Sequence, residues 1–164
     1  MPHRRPPRLP QTEYLGIRRI LLTMCTFDRL PYFTSPSAVE ATHGELLRTA
    51  AAYDVEVIAY CFMPDHLHAL FHGAGAATHL EKCAAMFRQR SGHAHRRHSR
   101  MRLWQEGYHD RILRDEESTF DVVSYIVGNP VRAGLCSDVR LYPYAGSSRY
   151  SLEELAVFVQ WRPH

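Results

Sequence analysis

The stretch "VEVIAYCFMPDHLHALFHG" (residues 55–73) consists of two apolar runs parted by Pro64 and Asp65. The first run, 55–63, is rich in β-branched and aromatic residues over a strand's length. Pro64 and Asp65 make a short break, so the second run, 66–73, returns as a strand antiparallel to the first if the break is a tight hairpin. Side chains alternate between faces along a strand, so His66 and His68 point one way while Leu67 and Ala69 point the other. At roughly 3.3 Å per residue the two imidazoles stand about 7 Å apart along the strand, near enough to share one metal ion. By themselves they are more often two ordinary surface histidines, and the rest of the chain has to decide.

Upstream, "IRRILLTMCTF" (17–27) has strand composition. The segment from Ser37 to about Tyr53 shows apolar residues at helical spacing, with Ser37 as the expected cap. Downstream, residues 77–100 form a long helical stretch in which Leu80, Cys83, Ala84 and Phe87 make one apolar stripe. "LWQEGYHDRIL" (103–113) is an extended segment or a further strand. Residues 115–130 begin with acids, as a helix N-terminus prefers, carry Phe120, Val123, Ile126 and Val127 on one face, and stop at Pro130. "YPYAGSSRY" reads as irregular, and "SLEELAVFVQW" as a closing helix capped by Ser151. This order predicts an α+β fold, an antiparallel sheet with helices packed on one face and the other face free. Residues 1–16, rich in Pro and Arg, read as a mobile basic arm, 17–150 as the body and 151–164 as a C-terminal helix and tail.

The 164 residues suffice for one domain with a real core. Net charge is only +3, which permits a nucleic-acid partner without demanding one. The distribution says more. Arg88, Arg90, Arg96, Arg97, Arg100 and Arg102 crowd one segment, while Lys82 is the only lysine; Arg suits bidentate phosphate contacts. Four scattered cysteines with no C-x-x-C pair argue against a zinc knuckle and, with no signal peptide, for reduced thiols in a cytoplasmic protein. No apolar run approaches the roughly 20 residues of a membrane span.

The last main helix carries the second clue. Tyr125 and Asn129 are four apart, on one helical face. The Asn129 amide oxygen would be a third metal ligand, and the Tyr125 hydroxyl a nucleophile beside the metal. At this point the sequence resembles a known family. "MPDHLHAL" (63–70) resembles the His-hydrophobe-His motif of the single-tyrosine transposases of small insertion sequences. "WQEGYHDRILRDEESTFDVVSYIVGNPVRAGL" (104–135) and "YPYAGSS" (142–148) are similar, more narrowly, to the REP-associated tyrosine transposases. The resemblance spans about residues 20–148.

The resemblance implies a ferredoxin-like fold and cleavage and rejoining of single-stranded DNA through a 5′-phosphotyrosine. Matched residue by residue, Tyr125 is the catalytic tyrosine, and His66 and His68 are the metal-binding pair. Asn129 falls where insertion-sequence relatives usually have glutamine and the REP-associated branch has asparagine. The implied cofactor is Mg²⁺ or Mn²⁺, and the implied partner is a hairpin of a repetitive extragenic palindrome, with a monomer expected rather than a homodimer. Arg88, Arg90, Arg96, Arg97 and Arg100 are the candidate phosphate contacts. Trp104 and Tyr108 are the candidate platforms for unpaired bases, with Trp104 also readable as core. Two other readings remain open here: a catalytically silent hairpin-binding module, and a relaxase or replication-type nickase.

Overall fold

The structure is a computed structural model and describes residues 9–161. In chain order it contains β1 (Arg19–Cys25), α1 (Pro36–Ala52), β2 (Val55–Met63), β3 (His66–Gly73), α2 (Leu80–Ser99), β4 (His109–Ile112), α3 (Thr119–Val127), α4 (Asn129–Arg132), β5 (Ala145–Ser147) and α5 (Leu152–Trp161). The strands form one antiparallel sheet in the order β4-β1-β3-β2-β5. The β2–β3 hairpin turns on Pro64 and Asp65, with Met63 paired to His66. Its turn is pinned from outside: Phe33 N–H donates to the Pro64 carbonyl at 2.9 Å, and Thr26 N–H to the Asp65 carbonyl at 3.0 Å.

Strand alternation sorts the residues between two cores. Ile20, Leu22 and Met24 of β1 and Leu67, Ala69 and Phe71 of β3 face α1 and α2, where Phe33, Phe62, Phe87 and Trp104 complete the packing. The expected one-sided helical layer is therefore present in α1 and α2. The opposite face is not free, however. There α3 and α5 bury Val123, Ile126, Val127, Leu155 and Ala156 against Ile58, Ala59, Cys61, Met63 and Leu70. The apolar stripe of α3 needed a partner, and Leu70, sitting among the β3 histidines, helps supply it.

Several boundaries differ from expectation. Ser35 rather than Ser37 caps α1, accepting from Ala38 N–H, because Pro36 fits a first helical turn where its missing N–H costs nothing. The helix expected over 115–130 divides at Gly128, and Pro130 lies inside the short α4 that follows. Within "YPYAGSSRY", Ala145–Ser147 pairs with β2 as an edge strand. Ser151 and Glu154 form the reciprocal capping box of α5. Of the N-terminal arm, residues 1–8 lie outside the described residues; Gln11–Tyr14 forms a 3₁₀ turn with Tyr14 fully buried, so this part packs onto the body. All four cysteines are free, three of them buried. Among the described residues no helix is long and apolar enough to cross a membrane.

Candidate active site

His66 and His68 lie on the α3 side of β3, paired with Cys25 and Thr23 of β1 and with Met63 and Cys61 of β2. Their ring centroids are 4.8 Å apart. Each Nδ1 is already occupied. His66 Nδ1 meets Asp65 Oδ1 at 2.7 Å, and His68 Nδ1 meets Thr23 Oγ1 at 2.9 Å. The Asp65 carboxylate accepts the Nδ1 proton of His66 in a hydrogen bond, and on each ring Nε2 is the nitrogen left for a ligand, which is how metal-binding imidazoles are commonly prepared.

The supporting groups extend outward from there. Asp65 divides its carboxylate between His66 and Arg29, whose Nε lies 3.0 Å from Oδ2. Burial pushes the Asp65 carboxyl up, but the His66 hydrogen bond and the Arg29 charge outweigh it and hold it low. Asp28 and Arg29 both adopt left-handed backbone, φ 54° each, a conformation non-glycine residues rarely hold without reason. His68 is pressed down to about 4, first by burial and then by the charges of His66, Arg132 and Arg29. It is therefore a neutral imidazole at pH 7, the form that coordinates a cation.

Tyr125 projects from α3 onto this face. Its ring centroid lies 6.5 Å from that of His68 in the same chain, and the side chain is 54 % exposed. The rest of α3 anchors it: Val123, Ile126 and Val127 are fully buried. At the N-terminal end Arg19 of β1 ties down the approach to the helix, donating to the Glu117 carbonyl at 2.7 Å and to Thr119 Oγ1 at 2.8 Å. Over the exposed ring lies Arg132, its Cζ 4.3 Å from the centroid, while its guanidinium also donates to the Tyr125 carbonyl.

Asn129 is half-buried at the start of α4, and its carboxamide has no hydrogen bond to any described residue. Among the described residues no three His, Cys, Asp or Glu side chains form a metal-holding group. A cation held by the two imidazoles would therefore need any third protein donor to be of another type.

The remaining sequence candidates fall elsewhere. The arginine-rich α2 covers the opposite face of the sheet from the imidazoles. Arg90, Arg96, Arg97 and Arg100 are exposed there. Arg88 is instead built in, donating to the Gln105 carbonyl at 2.7 Å and lying over the Tyr108 ring. Trp104 and Tyr108, expected as base platforms, are buried in the α1–α2 core, 6 % and 5 % exposed. Trp104 Nε1 donates to the Ser91 hydroxyl, so neither ring can stack on a base without opening that core. His72 sits at the far end of the same strand face with Glu56 and Arg149.

Sequence reasoning missed Thr23, Asp65, Arg29 and Arg132 as parts of the site. Asp65 and Thr23 were detectable in principle, one as the neighbour of His66 and one as its strand partner's alternate. Arg29 reaches the site only through a backbone turn that periodicity does not reveal, and Arg132 lies beyond the expected helix end at Pro130.

Over residues 19–129 the chain matches the family model described as transposase, IS200-like. A Haemophilus influenzae protein, provisionally described as a REP-associated tyrosine transposase, is 25 % identical over 113 residues, covering 62 % of this chain and 64 % of the relative. The match therefore spans a little under two thirds of that relative's length. A solved REP-associated tyrosine transposase bound to a REP hairpin superposes with a TM-score of 0.76 at 16 % identity, covering 97 % of this chain and 92 % of that one. At that identity the likeness is one of fold.

Proposed function

The chain belongs to the IS200-like transposase family, and we propose that it cuts and rejoins single-stranded DNA at REP-like hairpins through a 5′-phosphotyrosine on Tyr125. The observation that carries this reading is the exposed Tyr125 phenol standing beside His68, on the face where both imidazoles keep Nε2 open. A binding module has no use for a solvent-facing phenol paired with two pre-set imidazoles.

The phenol oxygen of Tyr125 attacks phosphorus in line with the 3′ oxygen. The P–O3′ bond breaks, the 3′ oxygen leaves as a hydroxyl with a proton, and the 5′ phosphate stays on the tyrosine. The 3′-OH can attack the phosphotyrosine in turn and release the phenol. One phosphoester replaces another at each step, so rejoining requires no nucleotide cofactor. Asp65 and Thr23 hold the imidazoles in register, and Arg29 contributes positive charge beside an anionic substrate. A divalent cation, Mg²⁺ or Mn²⁺, bound by Nε2 of His66 and His68 and by the Asn129 amide oxygen, would supply charge neutralisation at the scissile phosphate. Since the tyrosine and both imidazoles belong to one chain, a monomer carries the complete set.

The exposed arginines of α2 support backbone binding. Bridges of Leu15 to His79 and of Thr26 to Trp104 run α2 from the His72 end of the sheet to the His66 end. Arg96, Arg97 and Arg100 therefore emerge at the same end as the site, where a strand leaving the active face can pass round to them.

The test is covalent trapping. Incubation with a labelled hairpin carrying a single-stranded flank, in Mn²⁺, should give an SDS-resistant protein–DNA band that disappears in Tyr125→Phe. Hairpin binding without adduct, across flanks of varied sequence, would instead establish the silent binding module.

A further inference from the structure

We propose that Arg132 is a positioning residue for Tyr125, reaching it through a gap that Gly128 leaves open; the proposal rests on the nucleophilic role of Tyr125 given above. The two residues are seven apart. On an unbroken helix that separation is about 10 Å along the axis. Backbone hydrogen bonds from Gly128 N–H to the Ser124 carbonyl and from Arg132 N–H to the Gly128 carbonyl carry the turn across the junction. Arg132 therefore lies two turns beyond Tyr125 on the same side, and its long side chain, leaning back toward the N-terminus, spans the distance and takes both ends of the tyrosine. Its Cζ lies 4.3 Å from the ring centroid, and its Nη2 donates to the Tyr125 carbonyl. That carbonyl lies in the last turn of α3, where helix carbonyls lack intrahelical partners.

Gly128 is there for space rather than for unusual backbone, since its φ of −77° suits any residue. A Cβ at this position would stand 2.8 Å from the Ser124 carbonyl oxygen, 3.0 Å from Arg132 Nη1 and 3.3 Å from Val159 Cγ2. The first of these is helix backbone, so relieving it shifts the junction between α3 and α4, and the guanidinium would be displaced with it.

An exposed tyrosine otherwise sweeps its rotamers, and in-line attack needs one of them. A planar cation on the ring face, tethered to the same residue's backbone, holds the phenol over the imidazole face before DNA arrives. Lys keeps the charge but lacks the fork that makes both contacts at once.

The experiment has two readouts. In single-turnover cleavage at saturating hairpin, Arg132→Ala and Gly128→Ala should each slow adduct formation roughly 10- to 100-fold, with hairpin affinity changed less than about threefold. Arg132→Lys should recover only part of the rate. Separately, protein labelled with 3-fluorotyrosine, its Tyr125 line assigned by Tyr125→Phe, should show that line shifted and narrowed in both Ala variants as the ring averages. If affinity falls while the saturated rate holds, Arg132 is a phosphate contact and the proposal fails. An unmoved fluorine line overturns it as well. Should wild type form no adduct on any hairpin, the reading of Tyr125 as nucleophile fails, and the fluorine line still decides whether the clamp exists.

Discussion

The two faces of β3 do different work with alternate residues of one strand. Leu67, Ala69 and Phe71 are each 1 % exposed in the α1–α2 core. His66, His68 and His72, on the other face, are half-buried, and each has a specific polar partner in Asp65, Thr23 and Glu56 respectively. The packed face asks only for apolar volume of fitting shape. The second face asks for directed hydrogen bonds, because a half-buried polar group left unpaired is costly. The first face thereby becomes a rigid floor for the second, and changes on the two faces should fail in different ways.

The largest contrast comes from the nucleophile. Tyr125→Phe removes one oxygen from an exposed ring, so covalent adduct should fall by at least roughly four orders of magnitude. Its unfolding midpoint in urea should stay at the wild-type value, as expected for an exposed side chain. Phe71→Ala, on the floor, should do the reverse. A cavity under the sheet costs about 3–5 kcal/mol, read as a lowered urea midpoint. The rate per folded molecule should survive in whatever fraction remains folded. A large stability loss in Tyr125→Phe would mean that the phenol belongs to the packing and not to the chemistry.

The same division explains what was legible in the sequence. The bounds of β2 and β3 match the expected 55–63 and 66–73, because alternation and the Pro64–Asp65 break act locally. Strand and helix periods put His66 with His68 and Tyr125 with Asn129, while the meeting of the two pairs was implied by the family resemblance. What was hidden depends on tertiary partners. β5 is a three-residue edge containing Gly146, where a Cβ would meet the Tyr60 hydroxyl at 3.0 Å, so no strand propensity marks it. Trp104 and Tyr108 lie in an arginine-rich neighbourhood that suggests DNA. Trp104 was already readable as core, and its bond to the Ser91 hydroxyl bears that out, whereas the inward turn of Tyr108 under Arg88 depends on tertiary partners. The second helical layer was missed because α3 was read for its tyrosine face and not for where its apolar stripe must go.

A pH titration separates the two ends of the polar face. His68 is held at about 4 in the folded protein, by burial first, against about 6.5 in the unfolded chain. As pH falls the unfolded chain takes the proton first. The contribution is therefore whole above about pH 6.5 and is lost as pH falls through about 4, a loss of the order of 2–3 kcal/mol. At the other end the Glu56 carboxyl is held down to about 2, chiefly by the Arg149 hydrogen bond. Its contribution is present above about pH 4.5 and is lost as pH falls through about 2, a lower window. Urea unfolding of metal-free protein at pH 7.5, 5.5 and 4.5 should show wild type and His68→Gln converging over the upper window. Parallel curves would mean that His68 is not buried neutral.

The smallest effect tests whether the partners on the polar face are more than packing. Thr23→Val preserves the shape of the side chain and removes only the hydroxyl that meets His68 Nδ1 at 2.9 Å. The lost hydrogen bond should cost about 0.5–1.5 kcal/mol in urea. If the hydroxyl also sets the tautomer of His68, Mn²⁺ affinity measured by calorimetry should fall about tenfold or more, the usual range for a partner of a metal-bound imidazole. Leu22→Val, the neighbouring residue on the packed face, is the control: it should lower stability by a similar amount and leave Mn²⁺ affinity unchanged. Equal effects of the two substitutions on Mn²⁺ binding would show that the faces differ in polarity alone, with the imidazoles oriented by the sheet and not by their hydrogen bonds.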